Sequence, residues 1–240
     1  MQVYDSNDYQ IQIKEDGTPV TRADLIAHDY ITKALKHEFG YPVISEEAPV
    51  PPYEERQTWS QFFLVDPVDG TRDFIAKNDE FTVNIALVSG GEPVLGVVLV
   101  PAKGELFFAR KGKGAWMRTN NSEDLPLPLE KQEGWVLARS WHHDNSMIEA
   151  FAKNNNISQS IKMSSAIRLA RLSQGKVNLC VVSNKSKEWD IAAGQVILKE
   201  TGGSIVEMES GKEPAYNKPD MQNAFSLATA SGVSLSQLKL

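Results

Sequence analysis

The segment Phe62-Phe63-Leu64-Val65-Asp66-Pro67-Val68-Asp69-Gly70-Thr71 joins an apolar run directly to an acidic turn. Four consecutive apolar residues are typical of a buried strand. Pro67 fixes its own φ and favours an extended conformation at Asp66, whereas Gly70 permits a positive φ. We therefore expect a sharp turn directly after the strand, with the Asp66 carboxylate, the Val68 carbonyl and the Asp69 carboxylate pointing into one small volume.

This turn offers the oxygen ligands that hard divalent cations prefer, and magnesium commonly binds between a few carboxylates and a phosphate. Thr71 is expected to open a short helix, whose first N–H groups favour an anion. Asp-Pro and Asp-Gly are also common turn dipeptides, so a plain surface loop is the alternative interpretation. Two acids and a threonine directly after a hydrophobic strand favour the metal and phosphate site.

Length and composition exclude several classes of protein. The 240 residues suit one large domain or two small lobes, and the net charge of −6 argues against a protein that binds a nucleic-acid polymer. The single cysteine, Cys180, lies in a strand-like run and is expected in the core. With no stretch of about 20 apolar residues and no signal-peptide pattern, we expect a cytoplasmic protein without an integral membrane segment. Peripheral association with the inner membrane stays open.

The first half of the chain indicates an antiparallel α+β lobe over residues 1–130. Residues 3–14 predict a hairpin strand, and Thr21 predicts the N-cap of a helix that Gly40 ends. Residues at helical spacing are expected to share the buried face of that helix: Ala23, Ala27, Tyr30, Ile31 and Ala34. His28 and His37 are expected to be solvated, and residues 82–89 and 93–100 predict a strand pair.

The second half, residues 131–240, alternates strands and helices, which favours a more parallel α/β lobe. Its predicted helices cover residues 144–154, 166–174 and 191–201, and its predicted strands cover residues 135–139, 157–163 and 177–182.

Acidic residues stand at the ends of several predicted elements, where a rigid scaffold can aim them into a cleft. Glu46, Asp66 and the Val68 carbonyl could hold one magnesium ion. Asp66, Asp69 and Asp190 could hold a second. Two such ions activate water and stabilise the leaving oxygen in an in-line displacement, which is the chemistry of phosphoryl transfer.

Two motifs carry a family resemblance. The run from Asp66 to Thr71 and the run Trp189-Asp190-Ile191-Ala192-Ala193-Gly194 resemble the two signatures of the inositol-monophosphatase-like family of lithium-sensitive phosphatases. Residues 71–75 and 79–87 are similar to the branch formed by the 3′(2′),5′-bisphosphate nucleotidases of the CysQ type. Residues 19–24 and 43–47 fit the same branch, so the resemblance covers nearly the whole chain.

The resemblance implies a layered αβαβα sandwich of the sugar-phosphatase type and a magnesium-dependent phosphomonoesterase that removes the 3′-phosphate of adenosine 3′,5′-bisphosphate. It implies two or three Mg²⁺ ions, inhibition by Li⁺, and a small-molecule phosphate ester as substrate. The implied metal ligands are Glu46, Asp66, the Val68 carbonyl, Asp69 and Asp190. The implied catalytic residues are Glu46, Asp24 and Thr71, with Asp24 orienting the Thr71 hydroxyl. The implied substrate contacts are Glu46, Val68, Asp69, Gly70, Thr71, Arg168 and Asp190.

The chain departs from the family pattern at three places. We expect the N-terminal helix of the family to be short or missing here. The motif that includes Ser164 and Arg168 normally starts with glycine and often carries lysine at the position of Arg168, and residues 182–187 lack the usual aromatic and arginine residues. Arg168, Lys185 and Lys187 are candidates to bind a second substrate phosphate, with a solvated surface as the alternative for both lysines.

Other interpretations stay open at this point. Inositol monophosphate or another sugar phosphate could replace the nucleotide as substrate. A haloacid-dehalogenase-type phosphatase is disfavoured because two residues, rather than one, separate Asp66 from Asp69, and an inactive binding module is disfavoured by the full set of oxygen donors. A metal pair at His142 and His143 is disfavoured since magnesium prefers oxygen. Trp189 is expected to be a packing anchor, and the protein a monomer or a homodimer.

Overall fold

The computed structural model describes residues 1–120, 122–142, 146–164 and 167–239. The α-helices are α1 (Gln2–Ser6), α2 (Arg22–Phe39), α3 (Tyr53–Arg56), α4 (Thr71–Ala76), α5 (Ser146–Asn154), α6 (Ile167–Gln174) and α7 (Glu188–Glu200). The strands are β1 (Gln12–Ile13), β2 (Pro19–Val20), β3 (Val43–Ser45), β4 (Gln61–Asp69), β5 (Thr82–Ser89), β6 (Glu92–Val100), β7 (Glu105–Arg110), β8 (Ala115–Thr119), β9 (Leu125–Pro126), β10 (Val136–Ser140), β11 (Gln159–Met163), β12 (Leu179–Val182), β13 (Ser204–Glu207) and β14 (Ser226–Thr229). Short 3₁₀ helices cover Pro101–Lys103 and Leu235–Gln237.

The first sheet has seven strands in the order β3-β4-β5-β6-β7-β8-β9. Strand β3 runs parallel to β4, and the remaining neighbours are antiparallel. The register of β4 with β5 shifts between Asp66 and Asp69. Pro67, which lies between them, has no amide hydrogen to donate to the ladder. The irregularity therefore falls on the segment that the sequence marks as a turn.

The second sheet has five strands in the order β11-β10-β12-β14-β13. Strands β11, β10 and β12 are mutually parallel, whereas β14 pairs antiparallel with both β12 and β13. The predicted contrast between an antiparallel first half and a more parallel second half is confirmed.

Helices α6 and α7 form the central layer of the molecule. Helix α7 packs on β5 and β6 of the first sheet and on β13 of the second, while α6 contacts β6 and β12. Helix α2 covers β3 and β4 on the outside, and α5 shares a second hydrophobic cluster with β10, β12 and β14. These five layers confirm the predicted αβαβα sandwich. Since both sheets pack on the same two helices, the division into lobes at residue 130 stays a prediction.

The backbones of α7 and β6 approach each other closely. A Cβ atom at Gly96 would overlap the carbonyl oxygen of Ala193. Cys180 and Trp189 belong to the same core cluster, as the sequence predicts, and are 1% and 8% exposed. None of the described helices combines the length and the apolarity that crossing a membrane requires.

The prediction of a hairpin strand over residues 3–14 is wrong for its first half. Residues Gln2–Ser6 form α1, and only Gln12–Ile13 pairs with Pro19–Val20. Helix α1 forms here because Tyr4 packs on the rings of Phe74 and Phe81, at centroid distances of 5.0 and 4.9 Å.

Helix α2 begins and ends as predicted, with Thr21 as N-cap and Gly40 in the left-handed region at φ 70°. Its predicted buried face is partly wrong, because Tyr30 is 76% exposed and Ala34 is also exposed. The buried positions are polar, Asp24 and Thr32, and both side chains are hydrogen-bonded.

The two histidines of α2 differ in their surroundings. The His28 Nδ1 lies 2.8 Å from the Ser45 hydroxyl, so His28 is not merely solvated, whereas His37 is exposed as expected.

The described parts of the predicted helices 144–154 and 166–174 are helical. Residues 144, 145 and 166 lie outside the described ranges.

Candidate metal and phosphate site

Three carboxylates from distant parts of the sequence meet between the two sheets. Glu46, Asp66 and Asp190 each contribute an oxygen atom, and these atoms lie within 4.8 Å of one another. The Asp66 residue is 1% exposed. We refer to Glu46, Asp66 and Asp190 as the acidic cluster. The structure therefore brings together three of the four acids that the sequence analysis grouped. The fourth, Asp69, does not belong to the cluster, but its charge acts on both Asp66 and Asp190.

The topology explains why these side chains meet. Strands β3 and β4 are parallel, so their carboxyl ends lie at the same edge of the sheet. The Glu46 N–H donates to the Val65 carbonyl at 3.1 Å, which places Glu46 beside Asp66. Asp190 enters from the first turn of α7, where its Oδ2 accepts the Lys187 N–H at 2.8 Å.

The electrostatics of the acidic cluster call for a cation. Burial, followed by the nearby charges of Glu46 and Asp69, raises the pKa of Asp66 well above its ordinary range. Burial, Asp69 and Glu46 likewise raise the pKa of Asp190. Like charges held together in a low-dielectric site resist ionisation unless a positive charge compensates them. The donor set consists of hard oxygens, which fits Mg²⁺.

Lys14 supplies a positive charge at the edge of the cluster. It lies in the turn between β1 and β2, and its Nζ donates to Glu46 Oε1 at 3.1 Å and to Glu47 Oε1 at 2.7 Å. Burial lowers the pKa of Lys14, but Glu46 and Glu47 together raise it above its ordinary value. Sequence reasoning missed Lys14, because its partners lie 32 and 33 residues away.

The turn after β4 is held by hydrogen bonds from both sides. The Val68 N–H donates to Asp66 Oδ1 at 3.0 Å. The Thr71 hydroxyl lies 3.2 Å from both Asp24 Oδ1 and the Val68 carbonyl oxygen. Gly70 adopts a φ of 85°, which favours glycine. The hydrogen bond that the resemblance implies between Asp24 and Thr71 is therefore present, and it fixes the direction of the Thr71 hydroxyl.

Asp24 itself is anchored at the start of α2. It is 1% exposed, and its Oδ2 accepts the Thr21 N–H at 2.8 Å and the Thr21 hydroxyl at 2.6 Å. Burial raises the pKa of Asp24, and the hydrogen bonds from Thr21 oppose that shift. A carboxylate that is supported in this way can orient a neighbouring hydroxyl without needing a metal.

The cations proposed for a second substrate phosphate, Arg168, Lys185 and Lys187, differ from one another in burial. Arg168 is 4% exposed, and its guanidinium donates to the Val181 carbonyl at 3.0 Å and interacts with Cys180. It is therefore a buried, hydrogen-bonded cation rather than an exposed one. The Lys185 residue is exposed, and the Lys187 Nζ lies 3.9 Å from an Asp220 oxygen.

His142 does not join the acidic cluster. Its Nε2 lies 3.0 Å from Oδ1 of Asp73, which is part of α4, the helix that follows Gly70. His143 lies outside the described residues.

Comparison with known proteins agrees with this geometry. The profile described as "Inositol monophosphatase family" matches residues 1–234. The chain belongs to this family. It is 35% identical to the 3′(2′),5′-bisphosphate nucleotidase CysQ of Salmonella typhimurium over 218 residues, which cover 90% of this chain and 87% of that protein.

Solved structures of the family share the fold. The crystal structure of CysQ from Bacteroides thetaiotaomicron aligns with a TM-score of 0.80 at 31% identity, over 88% of this chain and 84% of that one. A staphylococcal inositol monophosphatase-1, in an inhibitory complex soaked with LiCl, aligns with a TM-score of 0.77 over 99% of this chain and 86% of that one. At 17% identity it supports the fold alone. The prediction of an enzyme of this family, similar to the CysQ nucleotidases, is confirmed.

Proposed function

We propose that this chain is a Mg²⁺-dependent phosphomonoesterase that converts adenosine 3′,5′-bisphosphate to AMP and inorganic phosphate. The observation that carries the proposal is the convergence of Glu46, Asp66 and Asp190 next to the turn that holds Gly70 and Thr71. Relatives that are named 3′(2′),5′-bisphosphate nucleotidases support the choice of substrate.

Each part of the site has a role in this reaction. Glu46, Asp66, the Val68 carbonyl, Asp69 and Asp190 are the proposed magnesium ligands. Bound magnesium lowers the pKa of a coordinated water and neutralises developing charge on the phosphate. The turn at Gly70 and Thr71 binds the phosphate that is removed, where backbone amides at the start of α4 favour an anion.

Thr71 and Asp24 act on the water that attacks. The Thr71 hydroxyl directs its proton towards the Asp24 carboxylate and the Val68 carbonyl. The lone pairs of the hydroxyl oxygen can therefore accept a hydrogen bond from the water. Glu46, which is partly exposed at the rim of the acidic cluster, accepts a proton from the same water. Positioning and charge neutralisation are the main needs of phosphoryl transfer, so no covalent intermediate is required.

Inositol monophosphate is the second candidate substrate. The observation in its favour is Arg168, whose buried guanidinium bonds to the Val181 carbonyl rather than standing exposed for a second phosphate. A monophosphate substrate has no need of that cation.

One panel of assays tests both candidates. Phosphate release is measured from adenosine 3′,5′-bisphosphate, AMP, inositol 1-phosphate and fructose 1,6-bisphosphate, with Mg²⁺ and with a chelator. We expect the highest kcat/KM for the bisphosphate nucleotide and no turnover with the chelator. Hydrolysis of inositol phosphate without hydrolysis of the nucleotide would favour the second candidate, and turnover that survives the chelator would overturn the metal-dependent mechanism.

Several finer predictions accompany this proposal. We expect two or three Mg²⁺ ions in the working site and inhibition by Li⁺, which titration calorimetry and lithium inhibition curves can measure. A monomer or homodimer and a cytoplasmic location stay predictions.

A further inference from the structure

Glu80 links two segments of the second half of the chain to the first. It lies between α4 and β5, and its Oε2 accepts the Trp141 indole Nε1–H at 3.0 Å and the Ser164 backbone N–H at 3.0 Å. Trp141 directly follows β10 and Ser164 directly follows β11. One carboxylate oxygen therefore ties together the carboxyl ends of two neighbouring parallel strands. Lys103 Nζ lies 3.7 Å from the other oxygen of this carboxylate.

The segments that Glu80 links lie against the turn at Gly70 and Thr71, which we call the phosphate turn. An ideal Cβ atom at Gly70 would be only 2.6 Å from Ser164 Oγ, and His142, next to Trp141, reaches Asp73 on α4. In open α/β sheets, ligands bind beyond the carboxyl ends of the strands. The segments that Glu80 holds therefore form the side of the site that faces the rest of a substrate, beyond the phosphate that is removed.

We propose that Glu80 is a positioning residue, which holds Trp141 and Ser164 beside the phosphate turn and thereby selects for substrates larger than a simple phosphate ester. This inference rests on the proposed function and adds a determinant of specificity to it. Hydrogen bonds to a charged acceptor are about twice as strong as neutral ones, so one carboxylate can fix both segments. Trp141 is 50% exposed, and its bond to Glu80 fixes the orientation of a large ring that solvent reaches.

The kinetic test compares Glu80→Ala with Glu80→Gln. Loss of both hydrogen bonds in Glu80→Ala should raise KM for adenosine 3′,5′-bisphosphate about tenfold. Because p-nitrophenyl phosphate needs only the metal and phosphate side, its kcat and KM should stay within about twofold of wild type. Glu80→Gln keeps a carbonyl oxygen that can accept both bonds, so it should restore most of the KM. Equal losses on both substrates, or a Gln variant no better than Ala, would overturn the proposal.

Hydrogen exchange gives a readout that does not depend on activity. In Glu80→Ala, the amides of residues 159–164 should exchange about tenfold faster, whereas those of residues 61–69 should keep the wild-type rate. Unchanged exchange at residues 159–164 would overturn the role of Glu80, whatever the kinetics show. If the wild-type enzyme releases no phosphate from any substrate while the exchange still rises, the proposed function fails and the structural link stands.

A matched control and a second variant complete the test. Glu92, the first residue of β6, is an acid that pairs with Lys111 and lies near Ser89, at the end of β5 away from Asn84 and Asp66. Glu92→Ala should leave KM and exchange unchanged.

Trp141→Phe keeps an aromatic ring but removes the indole N–H, so it should raise KM for adenosine 3′,5′-bisphosphate on its own. Adding Glu80→Ala to it should then have less than the full tenfold effect, and fully additive effects would show that Glu80 does not act through Trp141.

Discussion

Helices α2 and α7 begin with the same local arrangement, yet their first turns serve different chemistry. In each, an aspartate accepts the backbone N–H of the residue before the helix: Asp24 from Thr21 and Asp190 from Lys187, both at 2.8 Å. The Asp24 carboxylate meets hydroxyl groups, whereas the Asp190 carboxylate lies among other acids. The local sequence at the start of each helix orients the aspartate carboxylate. The residues that contact it from distant parts of the chain determine its chemical role.

The pKa shifts express the same difference. Burial raises the pKa of both aspartates. Hydrogen bonds from Thr21 oppose the shift at Asp24, whereas the charges of Asp69 and Glu46 add to the shift at Asp190. Asp24 is therefore supported by the protein alone, and Asp190 becomes fully stable as an anion only beside a cation.

The largest expected effect comes from the centre of the acidic cluster. Asp66→Asn should lower kcat about a thousandfold or more, because loss of a proposed metal ligand removes several kcal/mol of transition-state stabilisation. Phosphate release and Mg²⁺ titration calorimetry measure the two effects. The control is Asp29→Asn, an exposed acid on α2 that pairs with Lys33 at 3.2 Å and should change neither. Wild-type turnover in Asp66→Asn would remove the acidic cluster from the mechanism.

The contrast between the two helix starts can be tested directly. Asp190→Asn should weaken Mg²⁺ binding about tenfold or more. Asp24→Asn should instead lower kcat about a hundredfold, with Mg²⁺ affinity within about twofold of wild type, since it only orients Thr71. Calorimetry and steady-state kinetics on both variants give the comparison. If both lost metal affinity equally, the distinction between the two carboxylates would be wrong.

The pH dependence of stability is the next effect in size. In the metal-free protein, the raised pKa values of Asp66 and Asp190 mean that the folded state binds more protons than the unfolded chain above the ordinary value of 3.8. The free energy of unfolding therefore falls as the pH rises through those raised values. Magnesium favours the ionised form, so its effect on Tm should grow as the pH rises above the ordinary carboxyl value of 3.8 and through the raised pKa values.

Scanning calorimetry with and without Mg²⁺ measures this effect. Asp66→Asn removes one of the interacting acids and should flatten the dependence. A Tm increase by Mg²⁺ that is the same at every pH would contradict the raised pKa values.

The smallest effect concerns the residues before the two helices. Thr21→Ala should lower the free energy of unfolding by about 1 kcal/mol, because the hydroxyl accepts the Ala23 N–H and donates to Asp24. Lys187 has no side-chain acceptor, so Lys187→Ala should stay within about 0.5 kcal/mol of wild type. Denaturant unfolding measures both. A larger loss for Lys187→Ala would mean that its side chain stabilises the start of α7 in another way.

The sequence predicts those features that are encoded within a few residues. Thr21 and Asp24 form a recognisable helix start, and Asp66 follows a run of apolar residues that is typical of a buried strand. The strand before Glu46 and the helix that contains Asp190 could be placed in the same way, because their signals also lie within a few residues. Their convergence follows from strand order and from the position of α7, which the family resemblance implied and the residues alone suggested only as a hypothesis.

Features that depend on distant partners could not be predicted in this way. Residues 2–6 are helical because Tyr4 packs on rings about 70 residues further along the chain. Glu80 looks like an ordinary loop acid, yet its partners lie 61 and 84 residues away. Arg168 looks like a free cation, and only the fold shows that it donates to the carbonyl of Val181.

Helix α7 has two roles, because it carries Asp190 and also packs closely on β6 through the contact between Gly96 and Ala193. The helix that brings Asp190 to the acidic cluster is, one turn later, seated so tightly on β6 that no side chain fits at position 96. Substitutions in the core around α7 would therefore shift the position of Asp190, although they change none of the charged residues of the site.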